Sequence, residues 1–252
     1  MASLRNVAAP YWAEFIGSLL LTLVGLGATA QSLVAPANTP ALSSSLAWGS
    51  AVTLGIWVSE HVSGGHINPA ITLARALFSD FSLAKVPGYL AAQTLGAFSG
   101  ALLVWLNFAS DLGALKPTHG LHPATHAFIT ANDTWSGLVN EITASFIFVL
   151  AVFAISDQTS NAKNIAPLAL GVAFAAASLA LSSPLQLALN PARDFGPRVF
   201  AALVYGFDVF ADHSFYFWVP IVGPIAGAVL GAFVYEWLVR RDAEYQHSLE
   251  DA

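Results

Sequence analysis

The stretch Leu189-Asn190-Pro191-Ala192-Arg193-Asp194-Phe195-Gly196-Pro197-Arg198 decides the fold of this chain, because it places three charges between two apolar runs. Charged side chains are costly at membrane depth and occur there where they face water or one another. Asn190 and Pro191 suit the start of a helix, since asparagine is a favoured N-cap and proline a favoured first residue. A second copy, Asn68-Pro69-Ala70, follows the pair Gly64-Gly65. Two copies at matching places indicate an internal repeat.

The composition is that of a membrane protein, with 56% hydrophobic residues, 10% charged residues and a mean hydropathy of +0.64 over 252 residues. Soluble domains carry roughly 25% charged residues. The 9 lysines and arginines form no basic stripe, which argues against a nucleic-acid partner. The absence of cysteine excludes disulfides, thiolate metal sites and cysteine nucleophiles. The first apolar segment is expected to direct insertion and to remain in the mature chain.

Six segments approach the length of about 20 apolar residues that a membrane-spanning helix needs. Two shorter segments, 68–78 and 190–205, begin at the repeated asparagines. The first would be about 16 Å long, half of the ~30 Å hydrocarbon core, so it must enter and leave on one side. Such backbone has to be packed in protein or lie beside water. The six predicted spans are Tyr11–Ala30, Ala41–Ser59, Pro87–Phe108, Leu138–Ile155, Ile165–Ser182 and Tyr216–Val239.

One pattern repeats in the two halves of the chain, about 8–108 and 136–239, within a single predicted domain over 1–252. Glu14 and Glu141 each lie early in an apolar span, well before an Asn-Pro-Ala sequence. Because three spans per half is an odd number, the halves must lie inverted in the membrane. The two half-helices then enter from opposite faces and meet with their N-termini near the midplane.

Basic residues predict the orientation, because they are enriched in cytoplasmic loops. With the N-terminus inside, Lys116 is the basic residue of an ordinary outer loop, 109–135, while Arg193 and Arg198 belong to the outer re-entrant loop. Both termini, including a tail over 240–252, are therefore predicted to be cytoplasmic. The basic residues on that side are Arg5, Arg75, Lys85, Lys163, Arg240 and Arg241.

The paired Asn-Pro-Ala sequences predict a site at the midplane. The side-chain oxygen of an N-cap asparagine accepts a backbone N–H, which leaves its NH2 group to point into a lumen. Asn68 and Asn190 would do this from opposite sides, where both half-helices present positive dipole ends. Such a site donates hydrogen bonds to a passing oxygen and repels cations, protons included.

These features resemble the aquaporin superfamily, the major intrinsic proteins, over roughly Tyr11 to Leu238. The resemblance implies an all-α membrane protein with six transmembrane helices and two re-entrant half-helices. It also implies a pore in each subunit of a homotetramer, and we expect the plasma membrane as its location. Glu14 and Glu141 match the superfamily's buried acids, which hold the loops before the Asn-Pro-Ala sequences, and His66 matches a histidine of the same loop.

Within the superfamily the chain resembles the glycerol-facilitator branch. That branch has aspartate after Asn-Pro-Ala-Arg and a basic residue four further on, here Asp194 and Arg198. It also has the Pro-aliphatic pair seen here at Pro220-Ile221. At two positions of the solute filter, Ser178 and Leu187, most members of the branch have glycine and an aromatic residue instead. This difference predicts a wider and less aromatic filter in this chain. The filter implied by the resemblance consists of Trp48, Ser178, Leu187 and Arg193.

Four functions remain to be weighed from the sequence. The first is a passive channel for glycerol, water and other small uncharged solutes, or mainly for a protonated hydroxy acid. The second is an ion-coupled transporter, but its ionisable candidates, Glu14 and Glu141, lie at equivalent places that favour scaffolding. A membrane enzyme is disfavoured, because His61 replaces the first glycine of the intramembrane serine-protease pattern Gly-x-Ser-Gly, and no cofactor is expected. The fourth function is adhesion or scaffolding, and no long interaction tail in the sequence supports it.

Histidines provide two weaker signals. His119, His122 and His126 lie in the outer loop 109–135, where a solvated loop is favoured over a metal site. Glu60-His61 lies at the cytoplasmic mouth, and gating by pH is left open because histidine titrates near neutrality.

Residues Tyr89 to Gln93 are interpreted as a packing face. Glycines at spacings of four or eight predict close helix contacts.

Overall fold

The computed structural model describes residues 4–35, 41–116, 120–157, 160–181 and 187–240. Within those ranges the chain forms eight principal helices and no strand. Short 3-10 turns join several of them, and the last helix continues as a π-helix over Tyr235–Arg240. The helices are α1 (Leu4–Val34), α2 (Ala41–Ser63), α3 (Pro69–Phe78), α4 (Val86–Gly113), α5 (Thr134–Ser156), α6 (Ala166–Leu181), α7 (Pro191–Tyr205) and α8 (Val219–Val234).

The predicted architecture of six spans and two half-helices is confirmed. Among the described residues, 5 helical segments are long and apolar enough to cross a membrane. The sixth span, α2, has 23 residues and so covers about 35 Å, more than a ~30 Å hydrocarbon core. Serines, threonine and glycines lower its hydropathy, and some of the buried ones bind neighbouring helices: the Thr53 hydroxyl donates to the Pro167 carbonyl at 3.2 Å, and the Ser63 hydroxyl to Glu14 at 2.6 Å. These polar residues of α2 therefore serve helix packing.

The packing of the helices follows the repeat. In the first half α1 packs along α4, and in the second α5 packs along α8 in the same way. The half-helices cross between the halves, since α3 lies against α8 and α7 lies against α4. With α2 and α6 packed together, these contacts enclose a central cavity between the two halves.

Glycines permit the closest of these helix contacts, as their spacing predicted. A Cβ added at Gly100 of α4 would lie 2.8 Å from the Leu19 carbonyl oxygen of α1. In the second half, one added at Gly231 of α8 would lie 2.6 Å from the Phe146 carbonyl oxygen of α5. Real Cβ atoms do not approach oxygen so closely. The paired helices are thus in direct backbone contact at equivalent places.

Candidate functional site

The two half-helices begin at asparagines that also join the two halves. Asn68 Oδ1 accepts the Ala70 backbone N–H at 2.9 Å, and its Nδ2 donates to the Leu189 carbonyl at 2.8 Å. Asn190 Oδ1 accepts the Ala192 N–H at 3.0 Å, and its Nδ2 donates to the Ile67 carbonyl at 2.8 Å. The expectation that both NH2 groups are left entirely to the lumen is wrong, because each binds the opposite loop. An NH2 group has two hydrogens, and this bond uses one.

Each asparagine follows a residue in the left-handed region of backbone space. Ile67 has φ of 43° and Leu189 has φ of 56°. Bulky and β-branched residues rarely adopt such angles, and the strain persists only where the surroundings impose it. Here it turns each carbonyl towards the asparagine of the other half. The same arrangement in both loops makes the midplane site two-fold symmetric.

Buried carboxylates hold the strained loops in place. Glu141 accepts the backbone N–H groups of Ala188 at 2.6 Å and Leu189 at 2.9 Å. Glu14 likewise accepts those of His66 at 2.9 Å and Ile67 at 2.6 Å. Both glutamates are fully buried, and each carboxyl group satisfies two backbone donors of its loop. Glu14 and Glu141 are therefore positioned to hold the loops before α3 and α7 in place.

Side chains of α4 extend the network around Glu14 in a way the sequence analysis missed. Gln93 Nε2 donates to Glu14 Oε2 at 2.7 Å and to Thr72 Oγ1 at 2.9 Å. The Tyr89 hydroxyl donates to the Ser63 carbonyl at 2.9 Å, and the Tyr89 ring lies 5.2 Å from His66. The interpretation of this segment as a packing face was therefore incomplete. Two polar residues four apart in an apolar helix were the available signal.

The central cavity, with about 650 Å³ of space that includes the part open to solvent, passes both asparagines. Its α2 wall presents one residue per turn, from Trp48 to Glu60, over roughly 18 Å of helix. The α5 and α6 walls repeat this spacing, and the half-helices α3 and α7, the loops before them and Leu21 of α1 complete the lining. The lining residues of α2, α5 and α6 are Trp48, Val52, Ile56, Glu60, Phe148, Val152, Ser156, Ala166, Leu170 and Phe174.

One end of the cavity brings a cation against an aromatic ring. The Arg193 guanidinium carbon lies 4.4 Å from the centroid of the Trp48 ring. The Phe174 ring also lies beside Trp48, at 6.5 Å and inclined by 30°. Gly25 lies directly against the Trp48 ring and leaves no room for a Cβ. Phe174, which the sequence analysis did not name, thus supplies a second aromatic beside Trp48.

Ser178 and Leu187 are the two other residues implied for the filter. Ser178 is one helical turn beyond Phe174, and its hydroxyl oxygen lies 3.4 Å from that of Ser45. Leu187 is buried. Neither is among the described residues that line the central cavity, and the segment between them, 182–186, lies outside the described residues. The structure therefore brings together Trp48 and Arg193 of the four.

A buried ion pair fixes the outer loop to α7. Asp194 accepts Arg198 Nε and the Thr130 backbone N–H, both at 2.8 Å. Arg198 also donates to the carbonyls of Thr130 at 2.7 Å and Val209 at 2.8 Å. Because both charges are paired and hydrogen-bonded, their burial is compensated. Asp194 thereby supports the half-helix that carries Arg193, and Thr130 is a partner that the sequence did not reveal.

The histidine features are placed in part. His119 lies outside the described residues, as do Arg241 and most of the predicted tail. His122 stacks on Tyr205 at 5.3 Å and accepts the Ala124 N–H through its ring. Among the described residues no group of three His, Cys, Asp or Glu could hold a metal ion. The His61 side chain is 89% exposed and lies 3.8 Å from Glu60, which lines the end of the cavity away from Arg193.

This geometry matches proteins of one family. Residues 2–235 fit the sequence profile of the family described as "Major intrinsic protein". The chain belongs to the major intrinsic protein family. As a member it is 38% identical to Aquaglyceroporin-3 of Trypanosoma brucei brucei, over 91% of this chain and 78% of that protein. It is 36% identical to human Aquaporin-9, over 91% and 82% of the two chains. The X-ray structure of the aquaglyceroporin from Plasmodium falciparum superposes with a TM-score of 0.85, at 28% identity, over 95% of this major intrinsic protein and 99% of that chain.

Proposed function

We propose that this protein is a passive channel for glycerol, water and other small uncharged solutes. The observation that carries the proposal is the central cavity itself, which passes both Asn-Pro-Ala asparagines and has Arg193 against Trp48 at one end. Relatives named as aquaglyceroporins support the same solute class. A channel mainly for a protonated hydroxy acid is the alternative that the same assay resolves.

The midplane site suits neutral oxygen-bearing solutes and opposes cations. The N-termini of α3 and α7 meet there, so both helix dipoles present their positive ends to the lumen. The remaining amide hydrogens of Asn68 and Asn190 can donate to a solute oxygen. The carboxylates of Glu14 and Glu141 are occupied by loop donors, which leaves them unsuited to carrying a coupling ion.

The outer end of the cavity is proposed as the filter. A solute that sheds its water there needs new hydrogen bonds, since an unpaired hydroxyl costs several kcal/mol. Arg193 supplies donors, while Trp48 and Phe174 offer apolar surface to the carbon atoms. Ser178, one helical turn beyond Phe174, and Leu187, three residues before Asn190, are proposed to complete this filter. A polyol, with hydroxyls on one side and carbons on the other, fits these two walls.

Proteoliposomes provide the direct test. We expect the reconstituted protein to accelerate both water efflux and glycerol uptake in stopped-flow swelling, while an imposed pH gradient persists. The reason is that the paired positive helix ends repel hydronium as well as metal ions. Uptake of a protonated hydroxy acid far above that of glycerol would favour the alternative. Rapid collapse of the pH gradient would contradict the channel proposal.

We infer the assembly and orientation from the family resemblance and the distribution of basic residues. The single domain over 1–252 assembles as a homotetramer, with both termini cytoplasmic, in the plasma membrane. Each subunit contains its own central cavity, so transport does not need a partner's residues.

A further inference from the structure

A second arginine, Arg75, lines the inner end of the central cavity. It lies seven residues after Asn68 on α3, and Ile71, one turn before it, lines the same cavity. Arg193 lies three residues after Asn190 on α7, so its equivalent in the first half is Ile71. Arg75 is therefore one helical turn further from the midplane than that equivalent position. The internal repeat of the two halves therefore does not explain why a charged residue stands at position 75.

The contacts of Arg75 hold it across the inner mouth. Its Nη2 donates to the Ser156 hydroxyl of α5 at 3.1 Å, and its guanidinium carbon lies 5.7 Å from the Phe153 ring. Ser156 itself lines the cavity. The side chain thus reaches from α3 to the opposite wall, as Arg193 reaches towards Trp48 at the other end.

The pairing of Arg75 differs from that of the buried arginine in the same protein. Arg198 donates to Asp194 and to two carbonyls. Arg75 is not in an ion pair with any carboxylate of the described residues, and its buried Nε has no hydrogen-bond partner among them. A guanidinium has five N–H donors, and the bond to Ser156 uses one. An arginine placed for stability alone would be paired as Arg198 is, because an unsatisfied buried charge is costly.

We propose that Arg75 forms a second solute-binding site, at the inner mouth, for the hydroxyl oxygens of small neutral polyols. The proposal rests on the proposed channel function. A solute leaving the midplane amides would exchange their hydrogen bonds for those of Arg75 before it meets bulk water. Phe153 and Val152 give this site an apolar side, and Ser156 contributes a hydroxyl. The positive charge also meets any cation that enters from the inner face.

The test compares Arg75→Leu with wild type and with Lys85→Leu in proteoliposomes. Lys85 is exposed, lies outside the cavity lining, and precedes α4 on the side of the membrane where α3 ends, so its replacement removes a cation without touching the proposed site. Glycerol permeability is divided by water permeability of the same vesicles, which corrects for the amount of active protein. We expect Arg75→Leu to lower this ratio roughly threefold to tenfold, the effect of one hydrogen bond, and Lys85→Leu to leave it unchanged.

Arg75→Gln provides a second variant that keeps a planar, polar side chain. It retains one donor group and loses the charge, so its ratio should lie between those of wild type and Arg75→Leu. If either Arg75 variant reconstitutes with water permeability intact and the wild-type ratio, Arg75 is not a solute site. Absence of any solute flux in the wild type would instead overturn the channel function itself.

Discussion

At the residue scale, Glu141 shows why this position needs a carboxyl group and not an amide. Both of its carboxylate oxygens accept backbone N–H groups, from Ala188 and Leu189, inside a site with no exposure to solvent. An amide at this position would present an acceptor to one N–H and a further donor to the other. The chemistry of the loop therefore requires an acid, although Glu141 is not among the described residues that line the central cavity.

Glu141→Gln should accordingly destabilise the protein by about 1–3 kcal/mol, the penalty for an unsatisfied buried donor. The measurement is thermal unfolding in detergent, paired with glycerol flux in vesicles. Glu236→Gln is the matched control, since Glu236 forms an i,i+4 pair with Arg240 near the end of the last helix and should lose about 0.3–0.5 kcal/mol. Equal effects of the two substitutions would refute the loop-holding role.

Asn190→Asp changes the midplane in a different way. The substitution removes the donor to the Ile67 carbonyl and places a negative charge beside two positive helix ends. We expect an increased cation leak, measured as sodium conductance in planar bilayers or as dissipation of a sodium gradient. Asn161→Asp, at an exposed position in the 3-10 turn before α6, should leave the conductance unchanged. A folded Asn190→Asp protein with wild-type leak would show that the barrier lies elsewhere.

The sequence predicted the residues of the site that lie within its repeated motifs, and missed those contributed by helix faces. Asn68, Asn190 and Arg193 were recognisable from their neighbours along the chain. Phe174 and the cavity-facing position of Arg75 were not. The face of a helix that turns towards the cavity is not marked when the helix is apolar all round, as α6 is. The bond between Asn68 and Leu189 depends on loop conformations that no local pattern specifies.

At the scale of elements, glycine contacts fix the distance between paired helices. Gly231 of α8 lies against α5, whereas a Cβ added at Gly27 of α1 would meet no atom within 4 Å. Gly231→Ala should therefore lower stability by about 1–3 kcal/mol through overpacking, measured by thermal unfolding in detergent. Gly27→Ala should be neutral or stabilising by up to ~1 kcal/mol, because alanine is the better helix former. Equal unfolding temperatures for the two variants would contradict this account.

The helix ends show which boundaries can be predicted from sequence periodicity and capping residues. The start of α3 was predicted at Asn68, its cap, because the Asn-Pro signal is local. The end of α2 was predicted at Ser59 and lies at Ser63, whose hydroxyl donates to Glu14 at 2.6 Å. The last span begins at Val219 instead of Tyr216, after left-handed residues from His213 to Phe215. Long-range contacts, which a pattern does not encode, set these boundaries.

At the scale of the whole molecule, the absence of cysteine makes the orientation directly testable. Ser82, between α3 and α4, and Asp208, after α7, are both exposed and belong to opposite ends of the inverted repeat. We expect a membrane-impermeant maleimide to label Asp208→Cys in intact cells and Ser82→Cys only after permeabilisation. The unsubstituted chain provides the background. The reverse labelling pattern would place the N-terminus outside.

The bonds between the two asparagines and the opposite loops also constrain how the protein is made. Asn68 needs the carbonyl of Leu189, which is synthesised 121 residues later. The first half can insert its spans as they emerge from the ribosome, but its pore loop stays incomplete until the second half has folded against it. Assembly of the midplane is therefore a late step of biogenesis. A truncated chain that ends before Leu189 would carry most of its spans and still lack a closed barrier.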